Sequence, residues 1–128
     1  MPSPSDREAH LIGDIAREAE RIETFLDGVD ASSFAANDEK AYAVQKALQN
    51  LCEACVQIDG KHGAGRFAVL FPDRSLREIK TVGDRLRHDY GAMDPMLVWT
   101  QVTRLVPPVR ADAEAWLRRL RRLHGYAD

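Results

Sequence analysis

Apolar residues recur at steps of three and four along most of the chain, the spacing that gathers them on one face of an α-helix. The first stripe follows Ser5, which with Glu8 forms a capping box that satisfies backbone N–H groups at a helix start. Gly28 then offers a left-handed stop, so a helix is predicted over about residues 6–27. Its apolar positions are Leu11, Ile12, Ile15, Ala19, Ile22, Phe25 and Leu26.

The second stripe is the most regular in the sequence. It follows a short turn over residues 30–36, begins after the N-cap candidate Asn37 and ends at Gly60, so a long helix packed along its full length is predicted. The glycine-rich segment over residues 61–66 lacks the Gly-Lys-Ser/Thr ending of a phosphate-binding loop and is interpreted as a linker. The apolar positions of the helix are Ala41, Val44, Leu48, Leu51, Cys55 and Ile58.

A third, shorter helix is predicted after an interruption. The apolar run over residues 67–71 is the one candidate strand, but it has no partner strand and Pro72 breaks it. Ser75 and Glu78 then form a second capping box, which opens a helix that is predicted to stop at Gly91. Its core side consists of Ile79, Val82, Leu86 and Tyr90, with Gly83 beside them.

Two further helices are predicted at the C-terminal end. Asp94 and Pro95 fit the N-cap and the first position of a helix, which the pair Pro107-Pro108 is predicted to end. A last helix is predicted over about residues 109–124. The inward positions of the two helices are Leu97, Val98, Val102, Leu105, Val106, Val109, Ala113, Trp116, Leu117, Leu120 and Leu123.

Together these elements predict an all-α, up-and-down helical bundle, in which two long antiparallel helices pack with two to three shorter ones. The chain of 128 residues fits a single domain over residues 1–128, with residues 1–5 disordered and residues 125–128 as a tail. No apolar run approaches the ~20 residues that cross a bilayer, and no charged-then-apolar leader stands at the start. A cytoplasmic protein without membrane contact is therefore expected.

The charge is divided between the two halves of the chain. Residues 1–60 hold 5 Lys/Arg against 12 Asp/Glu, which gives −7, whereas residues 61–128 hold 13 against 8, which gives +5. This division favours an anionic partner for the C-terminal half, or a basic surface that docks on an acidic one. On the last helix, Arg118 and Arg122 are candidates for contacts with RNA phosphates, although a solvated helix face explains the same cluster.

The third predicted helix carries the strongest candidate chemistry. Asp84, Arg85 and His88 lie three or four residues apart and therefore share one side of the helix. A histidine can move a proton onto or off a ribose 2′-hydroxyl or a leaving 5′-oxygen, and a guanidinium can stabilise charge on the phosphate. The trio is a candidate site for phosphodiester cleavage without a metal ion or other cofactor. An ordinary solvated helix face is the alternative.

The run SLREIKTVGDRLRHDYGAMDPMLVWTQVTRLVPPV, residues 75–109, resembles the HepT family of the HEPN superfamily. The resemblance rests on the pair His88-x-Tyr90, the following glycine, Asp94, the dipeptide Val98-Trp99, Thr103 and the Leu-x-Pro over residues 105–107. Members of this family are small helical ribonuclease toxins, encoded with a minimal nucleotidyltransferase, MntA, as antitoxin. An all-α HEPN-like fold, RNA as substrate and an MntA-like partner are thus implied.

The resemblance also implies roles for individual residues. His88 matches the catalytic histidine of the family's motif, and Tyr90 matches the tyrosine that the nucleotidyltransferase adenylylates to silence the toxin. Asp84 and Arg85 are assigned to catalysis beside His88, and Arg85 and Arg87 to RNA binding. A two-fold homodimer is implied as well, because family members bring two such histidines together in one composite RNA site.

The sequence departs from the family motif upstream of His88. In the motif, four to six residues separate an arginine from the histidine, which places the arginine at residues 81–83 of this chain. Thr81, Val82 and Gly83 stand there instead, and the motif's usual Arg-Asn pair reads Gly83-Asp84. Arg85 lies one turn before His88 and offers a guanidinium from a different backbone position. The alternative is a catalytically degenerate protein that serves as a non-enzymatic binding partner or substrate of a nucleotidyltransferase.

The pair Cys52-x-x-Cys55 lies inside the second predicted helix. A redox dithiol belongs at a helix start, where the thiolate is stabilised, so core packing is the preferred interpretation. Adding His62 gives residue types that bind zinc, but no fourth ligand stands at a familiar spacing, and no metal site is predicted.

Overall fold

Six helices make up most of the structure, a computed structural model that describes residues 3–60, 65–89 and 93–123. They are α1 (Asp6–Leu26), α2 (Ala31–Ala35), α3 (Asp38–Asp59), α4 (Arg66–Leu70), α5 (Leu76–His88) and α6 (Pro95–Leu123). The described residues contain no strand, so the predicted all-α class is confirmed. None of the helices within these ranges has both the length and the apolar character that crossing a membrane requires.

The helix starts largely follow the predicted caps. Ser5 Oγ accepts the Glu8 N–H at 3.1 Å, and Glu8 Oε1 accepts the Ser5 N–H at 2.9 Å, which confirms the first capping box. Ser75 Oγ likewise accepts the Glu78 N–H at 3.2 Å. The second hydrogen bond of this capping box, from the Ser75 N–H to the Glu78 carboxylate, does not form, because that carboxylate forms an ion pair with Arg104 of α6. Glu78 therefore joins two helices rather than closing its own.

The four longer helices α1, α3, α5 and α6 alternate in direction. Near the start of α1, Arg7 donates to the carbonyl of Gln57, and further along Glu18 accepts from Asn50 at 3.4 Å, so α3 runs antiparallel to α1. α1 also packs extensively on α6, and α3 on α5. This arrangement is the up-and-down bundle that was predicted, with three long helices rather than two.

Contacts of α6 define the rest of the bundle. Just before α5 begins, Arg74 pairs with Asp112 of α6 at 3.0 Å. The next pair along α5, Glu78 with Arg104, lies earlier in α6, so α5 and α6 run antiparallel. The C-terminal end of α5, with His88, therefore lies at the same end of the bundle as the start of α6.

The predicted helix break at Pro107 and Pro108 is wrong, because α6 continues through both residues. A proline removes a backbone donor and would leave the carbonyls of Thr103 and Arg104 without intrahelical partners. Both of these residues are exposed, so water can hydrogen-bond to their carbonyls. Burial of apolar residues on both sides of the prolines, Val102, Leu105, Val106, Val109 and Ala113, favours one continuous helix.

Two short helices were not predicted. The apolar run that was the candidate strand forms α4, where Phe67 and Phe71 stack at 4.8 Å between ring centroids and are both fully buried. The presumed turn over residues 30–36 contains α2, which Asp30 and Ser33 close with a reciprocal capping box. α2 buries Phe34 against Trp99 of α6, with 5.4 Å between the ring centroids.

The predicted core is confirmed along the middle of each long helix. Every apolar position that was predicted inward on α3 is buried. Three predicted core residues are instead exposed: Phe25 by 37%, Leu97 by 37% and Leu123 by 63%. All three lie in the first or last turn of a helix, where a neighbouring helix no longer covers the apolar stripe.

A partly buried ion pair joins α1 to α4. Arg66 donates from Nε to Glu8 Oε2 at 2.8 Å and from Nη2 to Glu8 Oε1 at 2.9 Å, and Glu8 is only 6% exposed. The hydrogen bond from Arg66, aided by the Ser5 N–H, lowers the pKa of Glu8 from 4.5 to about 2. The charged form of Glu8 thus stabilises the folded chain.

Replacing Glu8 with glutamine is expected to lower the free energy of unfolding by about 2–3 kcal/mol at neutral pH. The stabilisation by Glu8 is complete above its unfolded-state pKa of 4.5 and is lost as the pH falls through its folded-state pKa of about 2. Urea unfolding of both proteins between neutral pH and pH 3 tests this. A stability difference that does not narrow below pH 4.5 would show that the Glu8 charge is not its source.

Candidate active site

α5 places its charged residues on the solvent side of the bundle. Ile79, Gly83 and Leu86 are buried against the rest of the protein. His88 is nine residues after Ile79, and at about 100° per residue this puts the two on opposite sides of the helix. His88 is accordingly exposed, in the last turn of α5. A substrate or a second protein chain can reach its imidazole without any rearrangement of the core.

The other candidate catalytic residues form ion pairs with neighbours on α5. Asp84 pairs with Arg87, and Arg85 Nε lies 4.0 Å from an Asp89 carboxylate oxygen. Within the described parts of the chain, neither Asp84 nor Arg85 has a hydrogen bond or ion pair to His88. All four charged side chains are substantially exposed. Exposed pairs of this kind contribute only about 0–1 kcal/mol, so a phosphate can displace Asp89 from Arg85 at little cost.

The candidate modification site at Tyr90 lies outside the described residues, as does Gly91, the predicted end of the helix. α5 ends earlier than predicted, at His88, with Asp89 as its C-cap. The Asp89 N–H donates to the Arg85 carbonyl at 2.9 Å and closes the last turn. His88 and Arg85 are thereby held on consecutive turns of one regular helix.

Gly83, where the family motif has an arginine, lies at the closest approach of α5 to α3. A Cβ atom added at Gly83 would stand 3.0 Å from Cys52 Cβ, which is tighter than most Cβ contacts in proteins, so its neighbour would have to shift by a few tenths of an ångström. Glycine is therefore the residue that lets these two helices pack at this distance. A side chain at Gly83 therefore requires α5 to shift slightly from α3, whereas Arg85 already presents its guanidinium to solvent one turn before His88.

The cysteine pair is part of the core, as predicted. Cys52 and Cys55 are free thiols with 1% and 0% exposure. Burial raises the pKa of Cys52 to about 12 and that of Cys55 well above its ordinary value. Both thiols are therefore neutral packing groups. His62, the third residue considered for a metal, lies outside the described residues.

The structure separates the two regions that were predicted to contact RNA. Arg118 and Arg122 are exposed near the end of α6, but α6 runs away from the His88 end of the bundle. Measured from the Glu78–Arg104 pair, His88 lies ten residues towards one end of the bundle on α5. Arg118 lies fourteen residues towards the other end on α6. At 1.5 Å per residue, roughly 35 Å of bundle length separates Arg118 from His88.

Arg104 is a cation near the site that the sequence pattern did not single out. It pairs with Glu78, which lies two helical turns before Arg85 on the same side of α5. Arg104 and Arg85 thus flank one surface formed by α5 and α6. Helical periodicity identifies residues that share a helix face, and it carries no information about a contact between Arg104 and a different helix.

The sequence model of a family described as "Ribonuclease HepT-like" matches residues 15–116, which include α5 and most of α6. The chain belongs to the HepT-like ribonuclease family. Since the match spans most of the bundle, the predicted HEPN-type fold and the family resemblance are confirmed together.

Two relatives of this HepT-like chain are each 29% identical to it over 101 residues, or 79% of its length. One is "Probable ribonuclease HepT" from Thermococcus cleftensis, of which the match covers 87%. The other is "Putative RNase MJ1380" from Methanocaldococcus jannaschii, of which it covers 88%. No solved structure matches the chain significantly.

Proposed function

We propose that this chain is the toxin of a toxin–antitoxin pair, a metal-independent endoribonuclease that acts through His88. The observation that carries the proposal is the exposed His88 at the end of α5, with the Arg85 guanidinium one turn before it, in a chain of the HepT-like ribonuclease family. An imidazole that transfers protons and a cation that binds a phosphate are the two groups that RNA self-cleavage needs.

The proposed reaction uses the ribose 2′-hydroxyl as the nucleophile. A base removes the 2′-proton, the 2′-oxygen bonds to phosphorus, and the bond from phosphorus to the 5′-oxygen breaks. An acid protonates the leaving 5′-oxygen, so the products carry a 2′,3′-cyclic phosphate and a 5′-hydroxyl. His88 transfers protons, Arg85 stabilises the charge on the phosphoryl oxygens, and Asp84 orients the imidazole after exchanging Arg87 for it.

One imidazole cannot hold and lack a proton at the same moment, so the reaction gains from two of them. A two-fold homodimer supplies a second His88 without a second gene product. The exposure of His88 and Arg85 supports this arrangement, because both residues are free of core contacts and can face a second copy.

Control by a minimal, MntA-like nucleotidyltransferase is proposed through Tyr90. The phenolic oxygen of Tyr90 attacks the α-phosphorus of ATP, pyrophosphate leaves, and the bound adenylyl group carries a negative charge. Because Tyr90 is two residues from His88, this group would repel and obstruct an RNA phosphate there.

Expression of the chain alone and together with an MntA-like nucleotidyltransferase tests the proposal. Growth arrest with cleaved cellular RNA is expected for the chain alone, and normal growth with an adenylylated Tyr90 for the pair. Mass spectrometry of the tryptic peptide that contains Tyr90 detects the modification. Intact RNA in cells that contain the folded, unmodified chain would refute the ribonuclease assignment.

The second candidate is a catalytically degenerate HEPN protein that serves as a binding partner or substrate of the nucleotidyltransferase. The observation that favours it is Gly83, which stands where the family motif has its arginine and packs closely on Cys52. A chain that is adenylylated on Tyr90 by the nucleotidyltransferase, but that does not cleave RNA when it is unmodified and alone, would support this candidate over the first.

A further inference from the structure

A cleft between α3 and α5 opens beside the candidate active site. It encloses about 200 Å³ and shares Asp84 and Arg87 with the face of α5 that leads to His88. Pockets for drug-sized ligands have about 300–1,000 Å³, so this cleft is suited to a smaller group. The polar residues that line it are Gln49, Glu53 and Gln57 of α3, and Lys80, Asp84 and Arg87 of α5.

The inner wall of the cleft is small and uncharged. It includes Cys52 and Gly83, which are both buried, together with Val56. Burial keeps the Cys52 thiol protonated by raising its pKa to about 12. A flat apolar surface can therefore rest on this wall without desolvating a charge.

The rim of the cleft combines charges that cancel. Asp84 pairs with Arg87, and the other two charged lining residues are Glu53 of α3 and Lys80 of α5. A site for a free phosphate would have an excess of positive charge, and this lining has none. It offers both donors and acceptors, as required by a neutral heterocycle with N–H and C=O groups on its edge.

One lining group lacks a partner. The amide Oε1 of Gln49 is shielded from solvent and accepts no hydrogen bond from the described residues. An unpaired buried acceptor costs about 1–3 kcal/mol, so a rotation of the Gln49 side chain that brings Oε1 to the cleft and to a ligand N–H recovers that cost. The Glu53 carboxylate is also an acceptor, so the cleft favours a ligand with several donors along one edge.

We propose that the cleft between α3 and α5 binds one unpaired nucleobase of the RNA substrate, next to the phosphodiester that His88 cleaves. The base lies on the wall formed by Cys52 and Gly83, and Lys80 at the rim contacts a flanking phosphate. Single-stranded RNA is commonly recognised in this way, by a splayed base whose edge is read by side chains. The location follows from Asp84, which lies one helical turn from His88 and lines the cleft.

The same chemistry selects among bases. Adenine, cytosine and guanine carry an exocyclic amino group that donates to the Glu53 carboxylate or to Gln49 Oε1. Uracil has no amino group, and its one pairing-edge donor, N3–H, lies between two carbonyl oxygens that would face the carboxylate. The cleft therefore prefers an amino-bearing base to uracil, which specifies the substrate of the proposed ribonuclease and rests on that function.

Titration of the isotope-labelled full chain with AMP, CMP, GMP and UMP, followed by NMR, tests the site without requiring cleavage. The side-chain amide signals of Gln49 and Gln57 are expected to shift with the three amino-bearing nucleotides and to shift least with UMP. Gln49→Leu is expected to weaken this binding at least about fivefold. Gln101→Leu is the matched control, since Gln101 lies on α6 outside the cleft.

The proposal would be overturned if ribose 5-phosphate bound as well as the nucleotides, or if UMP bound as well as the other three. It would also be overturned if Gln49→Leu left binding unchanged, or if no signal shifted. His88→Ala separates this proposal from the ribonuclease assignment. The His88→Ala variant is expected to bind the nucleotides as the wild-type chain does. If the wild-type chain binds bases but never cuts RNA, the proposed base site stands and the ribonuclease assignment fails.

Discussion

Replacing His88 with alanine is expected to lower the rate of RNA cleavage by roughly a hundred- to ten-thousand-fold, the usual contribution of a positioned acid or base. His88 is exposed and makes no core contact, so the substitution should leave the fold and the thermal unfolding midpoint unchanged. Single-turnover cleavage of a labelled RNA, with circular dichroism of the same samples, measures both quantities.

His10→Ala is the matched control for this substitution. His10 is also an exposed histidine on a helix, with a carboxylate of the same helix, Asp14, at 3.7 Å. It lies in the first turns of α1, away from His88, and its replacement should leave cleavage unaffected. Equal cleavage by His88→Ala and His10→Ala would remove His88 from the catalytic machinery.

Introducing the family's arginine at Gly83 is expected to lower the free energy of unfolding by about 1–3 kcal/mol, the usual cost of overpacking a core. An added Cβ would stand 3.0 Å from Cys52 Cβ, so α3 and α5 must move slightly apart to admit it. Glu53 and Asp84 line the adjoining cleft and can pair with the guanidinium, so no unpaired charge is buried. Domains of this size are stable by about 5–15 kcal/mol, so the variant is expected to stay folded.

Urea unfolding of Gly83→Arg and of the control Gly13→Arg measures this cost. A Cβ at Gly13 would meet no atom within 4 Å, and Gly13 is also inside a helix, so arginine there should be neutral or mildly stabilising. If Gly83→Arg is as stable as Gly13→Arg, the helices adjust to a side chain and the motif arginine remains possible at this position.

The helices and their apolar faces could be predicted because both are local. Ser5, Asn37 and Ser75 cap helices where the sequence pattern placed them. Errors arose where packing between distant segments overrides a local rule. Pro107 disfavours a helix by its own chemistry, yet burial of Val106 and Val109 on either side keeps α6 continuous.

The candidate site was predicted in part. Its position on the polar side of α5 follows from the 3.6-residue period, and His88 lies there as expected. The partners of Asp84 and Arg85 could not be predicted, because several oppositely charged residues were within reach along one helix. The restriction at Gly83 depends on its distance from Cys52, thirty-one positions earlier in the chain, which no pattern in either segment reveals.

The most direct measurement compares cleavage of two RNA oligonucleotides by the purified wild-type chain in EDTA. One is all RNA, and the other has a single 2′-deoxynucleotide immediately 5′ of the cleaved bond. The first is expected to be cut to a 2′,3′-cyclic phosphate and a 5′-hydroxyl, and the second to resist cleavage at that bond. Equal cleavage of both oligonucleotides, or an intact RNA in the presence of the folded chain, would contradict the proposed ribonuclease function.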